Sequence, residues 1–258
     1  MGKLDGRVAL VTGSGRGIGR AIALACAREG ARIGLTSRTK SELDKVQREV
    51  KALGTDSFLV TADLMDRAGV KKMVADFIDH FGRLDILINN GGGLIGAIPK
   101  LLSLDHDDDL FEQNIFLNLT SAYYATRMAL PQMVKQNYGR IIFIGSGYAK
   151  RGGGLIAYTA AKHGLVGMTR AMAYQVPTSI TVNTLCPGWT NTTLVDWDVL
   201  ADITGTDAKT AKAGAESENV QKRIMEPEEL GPMAVLLVSE ESRGITGQVI
   251  SVDGGYRV

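Results

Sequence analysis

The chain has 258 residues, 45% of them apolar, enough to bury a substantial core. A formal net charge of +1 gives no electrostatic reason to expect nucleic acid or an anionic membrane as partner, and no apolar run approaches transmembrane length. The two cysteines, Cys26 and Cys186, lie far apart, which argues against a disulfide framework and suits a reducing cytoplasm. No linker, charge block or repeat divides the sequence, so one domain over 1–258 is expected. The opening Met1-Gly2-Lys3-Leu4-Asp5 enters the first strand without an apolar leader, and cytoplasmic location is the default expectation.

Val8–Val11 is the first predicted strand. It runs into Thr12-Gly13-Ser14-Gly15-Arg16-Gly17-Ile18-Gly19, and a helix is predicted over Gly17–Arg28. A helix start offers unpaired N–H groups and a partial positive charge, and glycines let a phosphate approach the backbone. The spacing T-G-x-x-x-G-x-G differs from the common dinucleotide fingerprint G-x-G-x-x-G. A second strand at Arg32–Thr36 ends in Leu35-Thr36-Ser37-Arg38. An acid at that strand end would bind adenosine ribose hydroxyls and repel a ribose phosphate. Ser37 stands there instead, with Arg38 beside it.

Further along, a helix at Lys40–Leu53, a strand at Ser57–Thr61 and a helix at Arg67–Phe81 are predicted. The strand Ile86–Asn89 leads into Asn90-Gly91-Gly92. A long helix over Asp107–Lys135 carries Asn118, and the acidic run Asp105-His106-Asp107-Asp108-Asp109 is read as favouring its N-terminus through the dipole. The strand Arg140–Ile144 leads to Ser146. A helix over Ile156–Tyr174 places Tyr158 and Lys162 four residues apart on one face. The strand Thr181–Leu185 leads into Pro187-Gly188-Trp189-Thr190-Asn191-Thr192. Leu194–Arg223, rich in small and polar residues, reads as a partly helical, mobile insertion. A helix at Glu228–Val238 and a strand at Val249–Val252 close the chain. His80, His106 and His163 have no metal-ligand spacing, so no metal site is expected.

Strands too apolar to face water, alternating with helices, predict an α/β fold with a parallel sheet covered on both sides. Ligands of such sheets sit beyond the carboxyl ends of the strands, where the motif residues fall.

Five motifs in order carry a resemblance: T-G-x-x-x-G-x-G, N-N-x-G, an Asn in a helix, Ser followed by Y-x-x-x-K, and P-G-x-x-x-T. On these the chain resembles the short-chain dehydrogenase/reductase family from Lys3 to Tyr256. The resemblance implies a Rossmann-like, doubly wound parallel sheet, a nicotinamide cofactor and a tetrad of Asn118, Ser146, Tyr158 and Lys162. It assigns Tyr158 as acid/base, with Lys162 lowering its pKa by roughly one to three units and holding the nicotinamide ribose. Ser146 would orient the substrate oxygen, and Asn118 would anchor a water in a proton relay. The cofactor site would comprise Gly13, Gly15, Arg16, Gly17, Ile18 and Gly19, then Ser37, Arg38, Asp63 against the adenine, and Leu64. Asn90 and Gly91 would lie beneath the adenosine-side ribose, followed by Gly92, Pro187, Gly188 and Thr190, with Thr192 at the carboxamide. Tyr158 and Lys162 would complete it. In the family, basic residues at the positions of Arg16 and Arg38 accompany NADP, so NADP(H) is expected over NAD(H). A substrate lid at about 193–226 and a homo-oligomer, most often a tetramer, are implied as well.

The expected activity is interconversion of a secondary alcohol and a ketone. The residues expected to face the substrate, Leu94, Ile95, Tyr148, Leu155, Trp189, Leu194 and Trp197, are mostly apolar and favour an apolar small molecule. One alternative is a 3-oxoacyl-carrier-protein reductase, although its basic docking positions correspond here to Asn137 and Tyr174. Another is a non-catalytic cofactor-sensing scaffold, since fold does not fix function.

Overall fold

The computed structural model describes residues 2–105 and 107–258; His106 of the acidic run lies outside them. Seven parallel strands form one sheet in the order β3-β2-β1-β4-β5-β6-β7. They are β1 (Val8–Thr12), β2 (Arg32–Ser37), β3 (Ser57–Thr61), β4 (Ile86–Asn89), β5 (Gly139–Ile144), β6 (Ile180–Pro187) and β7 (Val249–Val252). Every residue of β1, β4, β5 and β6 is buried, because helices cover both faces.

Alternation along β1 divides the core. Ala9 and Val11 pack with Ile22 and Cys26 of α1 (Gly17–Arg28), Val46 of α2 (Lys40–Ala52) and Val235 of α10 (Leu230–Val238). Val8 and Leu10 point the other way, toward Val74 and Phe77 of α3 (Arg67–Phe81), Ala129 of α6 (Ser121–Lys135) and Leu165 of α7 (Ile156–Gln175). Burying a side chain such as Phe77 contributes about 1.5–3 kcal/mol. The chain moves from β1 outward through β2 and β3, then crosses back to β4. The carboxyl ends of β1 and β4 therefore diverge at a topological switch point, where a crevice opens.

One stretch differs from expectation. The helix predicted over 107–135 is three pieces: α5 (Asp108–Ile115), a π-helical turn (Phe116–Thr120) and α6. Asp107 caps α5 by accepting the Asp109 N–H at 2.8 Å, a specific hydrogen bond in addition to the dipole effect. The insertion read as partly helical and mobile holds two capped helices, α8 (Trp197–Thr204) and α9 (Ala208–Ser217), packed on each other. Asp196 and Asp207 cap their starts, and Gly205 at φ 66° ends α8. A short helix, α4 (Ile98–Leu102), precedes the acidic run. His80 stacks on Phe58 with ring centroids 4.0 Å apart, a packing role. Among the described residues, no helix is long and apolar enough to cross a membrane.

Candidate active site

A cavity of about 550 Å³ occupies the crevice. Its floor is the turn between β1 and α1. Gly13 (φ 64°) and Gly17 (φ 53°) take the left-handed conformation that the turn needs. The turn is fastened to β2 by Ser14 N–H donating to the Thr36 carbonyl at 3.0 Å and Thr36 N–H donating to Ser14 Oγ at 2.9 Å. Arg16, at the N-cap of α1, makes no side-chain cap, and the first turn carries no acid. Gly15, Arg16, Gly17 and Ile18 line the cavity. An uncapped helix start wrapped in glycine fits the pyrophosphate of a dinucleotide. Gly19 does not reach the cavity wall; a Cβ there would lie 2.3 Å from the Gly13 carbonyl oxygen, so its part is to let helix and turn close together.

Asn90 is tied into the same turn. Its amide nitrogen donates to the carbonyls of Thr12 (2.9 Å) and Gly13 (3.2 Å), while Thr12 Oγ1 accepts from the N–H groups of Asn90 and Gly91. The side chain thus cross-links the ends of β1 and β4. Ser37, Arg38, Asp63, Leu64, Asn90, Gly91 and Gly92 all line the cavity, as do Pro187, Gly188, Thr190 and Thr192. Glu42, which the motifs do not single out, lines it too, with Oε1 3.4 Å from Arg16 Nη1.

At the other end, β5, the π-helical turn and α7 bring four side chains together. Lys162 is buried and donates through Nζ to the Ile144 carbonyl at 2.8 Å. The same Nζ stands 5.4 Å from the centroid of the Tyr158 ring. Burial pushes the Tyr158 phenol up to about 12, with hydrogen bonding to Ser146 pulling partly back. Burial likewise lowers Lys162 to about 8. Burial thus opposes the lowering of the phenol expected from Lys162. Desolvation disfavours the charged form of both groups. Tyr158 therefore stays a phenol at neutral pH and is poised to donate. Ser146 Oγ also accepts the Tyr148 N–H at 3.2 Å. Cys186 is a buried neighbour whose thiol burial pushes upward, so it stays protonated and packs beneath Gly145.

Asn118 is buried, and its side chain is committed to the loop after β4. Oδ1 accepts the Gly93 N–H at 3.0 Å; Nδ2 donates to the carbonyls of Gly93 (2.8 Å) and Asn114 (3.0 Å). One turn earlier, Asn114 repeats the pattern on Ile95, accepting its N–H at 3.0 Å and donating to its carbonyl at 2.9 Å. The two asparagines, one just before the π-helical turn and one inside it, hold residues 93–95 like two rungs. A side chain so engaged anchors the loop. Gly92 lies where these parts converge: a Cβ there would sit 2.7 Å from Asn118 Oδ1 and 3.7 Å from Lys162 Nζ.

Leu94, Ile95, Tyr148, Leu155, Trp189 and Leu194 line the remaining wall. Trp197 is not part of that wall; its ring packs on Trp189 with centroids 6.0 Å apart. Trp189 donates through Nε1 to Glu218 at 2.7 Å, and Glu218 pairs with Arg257, joining the base of α9 to the C-terminal segment. Leu194, Val195, Asp196 and Leu200 bring the 193–226 segment to the cavity edge.

The short chain dehydrogenase family model matches residues 7–201. D-beta-hydroxybutyrate dehydrogenase of Cupriavidus necator is 35% identical, the match covering 98% of each chain. Among solved structures, actinorhodin polyketide ketoreductase with NADPH superposes with a TM-score of 0.90 at 30% identity, covering 100% of this chain and 99% of that one. Carveol dehydrogenase from Mycobacterium avium, in complex with NAD, gives 0.91 at 26% identity over 99% of each chain. The chain belongs to the short-chain dehydrogenase family, NAD(P)-dependent oxidoreductases that act on alcohols and ketones.

Proposed function

We propose that this short-chain dehydrogenase interconverts a small, largely apolar secondary alcohol and its ketone, using NADP(H) in preference to NAD(H). The observation that carries this reading is one cavity lined by both an uncapped glycine-rich helix start and a buried phenol–amine pair. A bound nicotinamide cofactor supplies the hydride chemistry. Tyr158, kept protonated by burial, gives its proton to the carbonyl oxygen in reduction; in oxidation its phenolate form takes the proton of the alcohol. Ser146, hydrogen-bonded to the phenol, orients that oxygen. Lys162, fixed on Ile144, would hold the cofactor ribose with its remaining protons. Gly13 through Ile18 hold the pyrophosphate; Ser37, Arg38, Asp63 and Leu64 hold the adenosine, and Pro187 through Thr192 the nicotinamide side. The 193–226 helices form the substrate lid.

The apolar wall imposes little desolvation on an apolar ketone and leaves a charged one unpaired. Asn137 adopts φ 52° just beyond α6, a turn conformation that Asn tolerates, which gives this position a structural reason to be Asn. Simple cyclic and aryl ketones should therefore exceed an acetoacetyl-carrier protein in kcat/KM. A carrier-bound substrate winning by tenfold, about 1.4 kcal/mol in transition-state binding, would favour a carrier-protein reductase instead. Loss of NADPH oxidation with every ketone tried would favour the non-catalytic scaffold.

The NADP(H) preference rests on Arg16, Arg38 and the missing acid at Ser37, since a guanidinium fork suits a phosphate dianion. Ser37→Asp combined with Arg38→Ala should shift the ratio of kcat/KM values toward NAD(H) by roughly tenfold or more. Equal kcat/KM for the two cofactors in the native protein would defeat this preference. We propose a homotetramer in the cytoplasm. Exposed Tyr123 and Val134 on α6 and Ile156 and Tyr174 on α7 support apolar contacts between copies. Light scattering should give four times the chain mass, and a monomer at micromolar concentration is the contrary result.

A further inference from the structure

We infer that Glu42 is a specificity-determining residue that opposes the extra phosphate of NADP(H) and keeps NAD(H) usable. This rests on the reading of the cavity as a nicotinamide-cofactor site. The strand-end acid that would recognise a ribose diol is absent, because Ser37 stands in its place. A carboxylate nevertheless reaches that spot from the next element. Glu42 sits in the first turn of α2 and lines the cavity beside Gly15, Arg16, Ser37 and Arg38. A Cβ built on Gly15 would lie 2.9 Å from Ser37 Oγ and 3.0 Å from Glu42 Oε2, so hydroxyl and carboxylate flank the same point of the glycine turn.

The second observation is the partner of that carboxylate. Glu42 Oε1 is 3.4 Å from Arg16 Nη1, and Arg16 is one of the two cations on which NADP(H) preference depends. The Arg16 side chain is 62% exposed and Glu42 30%, so the pair sits at the cavity mouth. A phosphate arriving beside Ser37 must draw Arg16 away from Glu42 and accept a like charge nearby. A ribose hydroxyl arriving at the same place meets an acceptor to which it can donate. Glu42 therefore penalises one cofactor and assists the other. It does from α2 what an acid at position 37 would do from β2, more weakly because Arg16 partly neutralises it. If it were only a surface ion pair, its worth would be small and the same whichever ligand binds.

The test is titration calorimetry on the full chain with two cofactor fragments lacking nicotinamide, ADP-ribose and 2′-phospho-ADP-ribose. Glu42→Gln keeps the shape and removes the charge. It should tighten the phosphorylated fragment by about tenfold and leave ADP-ribose unchanged or weaker. High salt should shrink the gain, because the site is partly exposed. A variant whose affinity ratio stays within about twofold of wild type, or whose affinities for both fragments move together, would overturn the role of Glu42. Wild-type protein that bound neither fragment would remove the cofactor site and this inference together. Binding of both fragments with an unaltered ratio in the variant would remove the inference alone.

Discussion

Tyr158→Phe should lower kcat for ketone reduction by roughly 10³-fold or more, while nicotinamide-cofactor affinity changes less than about threefold. The substitution deletes one oxygen and keeps the ring, which packs edge-on against Tyr148 with centroids 6.3 Å apart. Ser146 loses its phenol partner but still accepts the Tyr148 N–H, so the expected stability change is about 1 kcal/mol or less. Only the proton donor is lost. Because burial holds the phenol at about 12, it is protonated throughout the neutral range. The reduction rate should therefore show no fall attributable to this group between about pH 6 and pH 9. Steady-state rates with NADPH and a ketone, alongside cofactor titration, make the comparison. A variant keeping more than a tenth of the activity would remove Tyr158 as the proton donor.

The strands were legible because helices bury both sheet faces, which forces continuous apolar runs such as Ile86–Ile88 and Ile141–Ile144. The glycine turn was legible because its chemistry is written in residues that tolerate positive φ. Spacing also brought Tyr158 and Lys162 to one face of α7. Spacing could not reveal how deeply both groups are buried, which disfavours the charged form of each. The π-helical turn was hidden for a related reason. Asn114 just before it and Asn118 within it clamp a distant loop, and only Asn118 stood in a recognisable motif. Asn114, four residues earlier on the same helical face, was the available signal. The helices α8 and α9 carried readable marks, Asp196 and Asp207 as caps and Gly205 as a stop, but their small polar residues masked the periodicity. Glu42 carried no motif; it matters because α2 starts immediately beside the glycine turn.

Lys162→Met should separate stability from activity. In the folded chain Lys162 is lowered to about 8, against 10.5 for an ordinary lysine. Between these two values the unfolded chain binds more protons than the folded one. The Lys162 contribution to native stability thus rises as pH climbs from about 8 to 10.5, and below about 8 the full penalty of a buried ammonium is present. That penalty is at most ~3 kcal/mol, partly offset by the bond to the Ile144 carbonyl. Methionine fills the same channel with an unbranched apolar chain and no charge. Urea denaturation at pH 7 should show the variant at least as stable as wild type, and the stability of wild type relative to the variant should rise between pH 8 and 10.5. Turnover should nevertheless fall at least ~100-fold, and cofactor affinity should weaken, because the group fixed between Ile144 and the Tyr158 ring is gone. That pattern, a stable protein that binds cofactor poorly and turns over slowly, differs from Tyr158→Phe, which keeps the cofactor. A variant markedly less stable at pH 7 would mean that the Ile144 hydrogen bond outweighs the burial penalty. Near-normal turnover would take Lys162 out of the reaction.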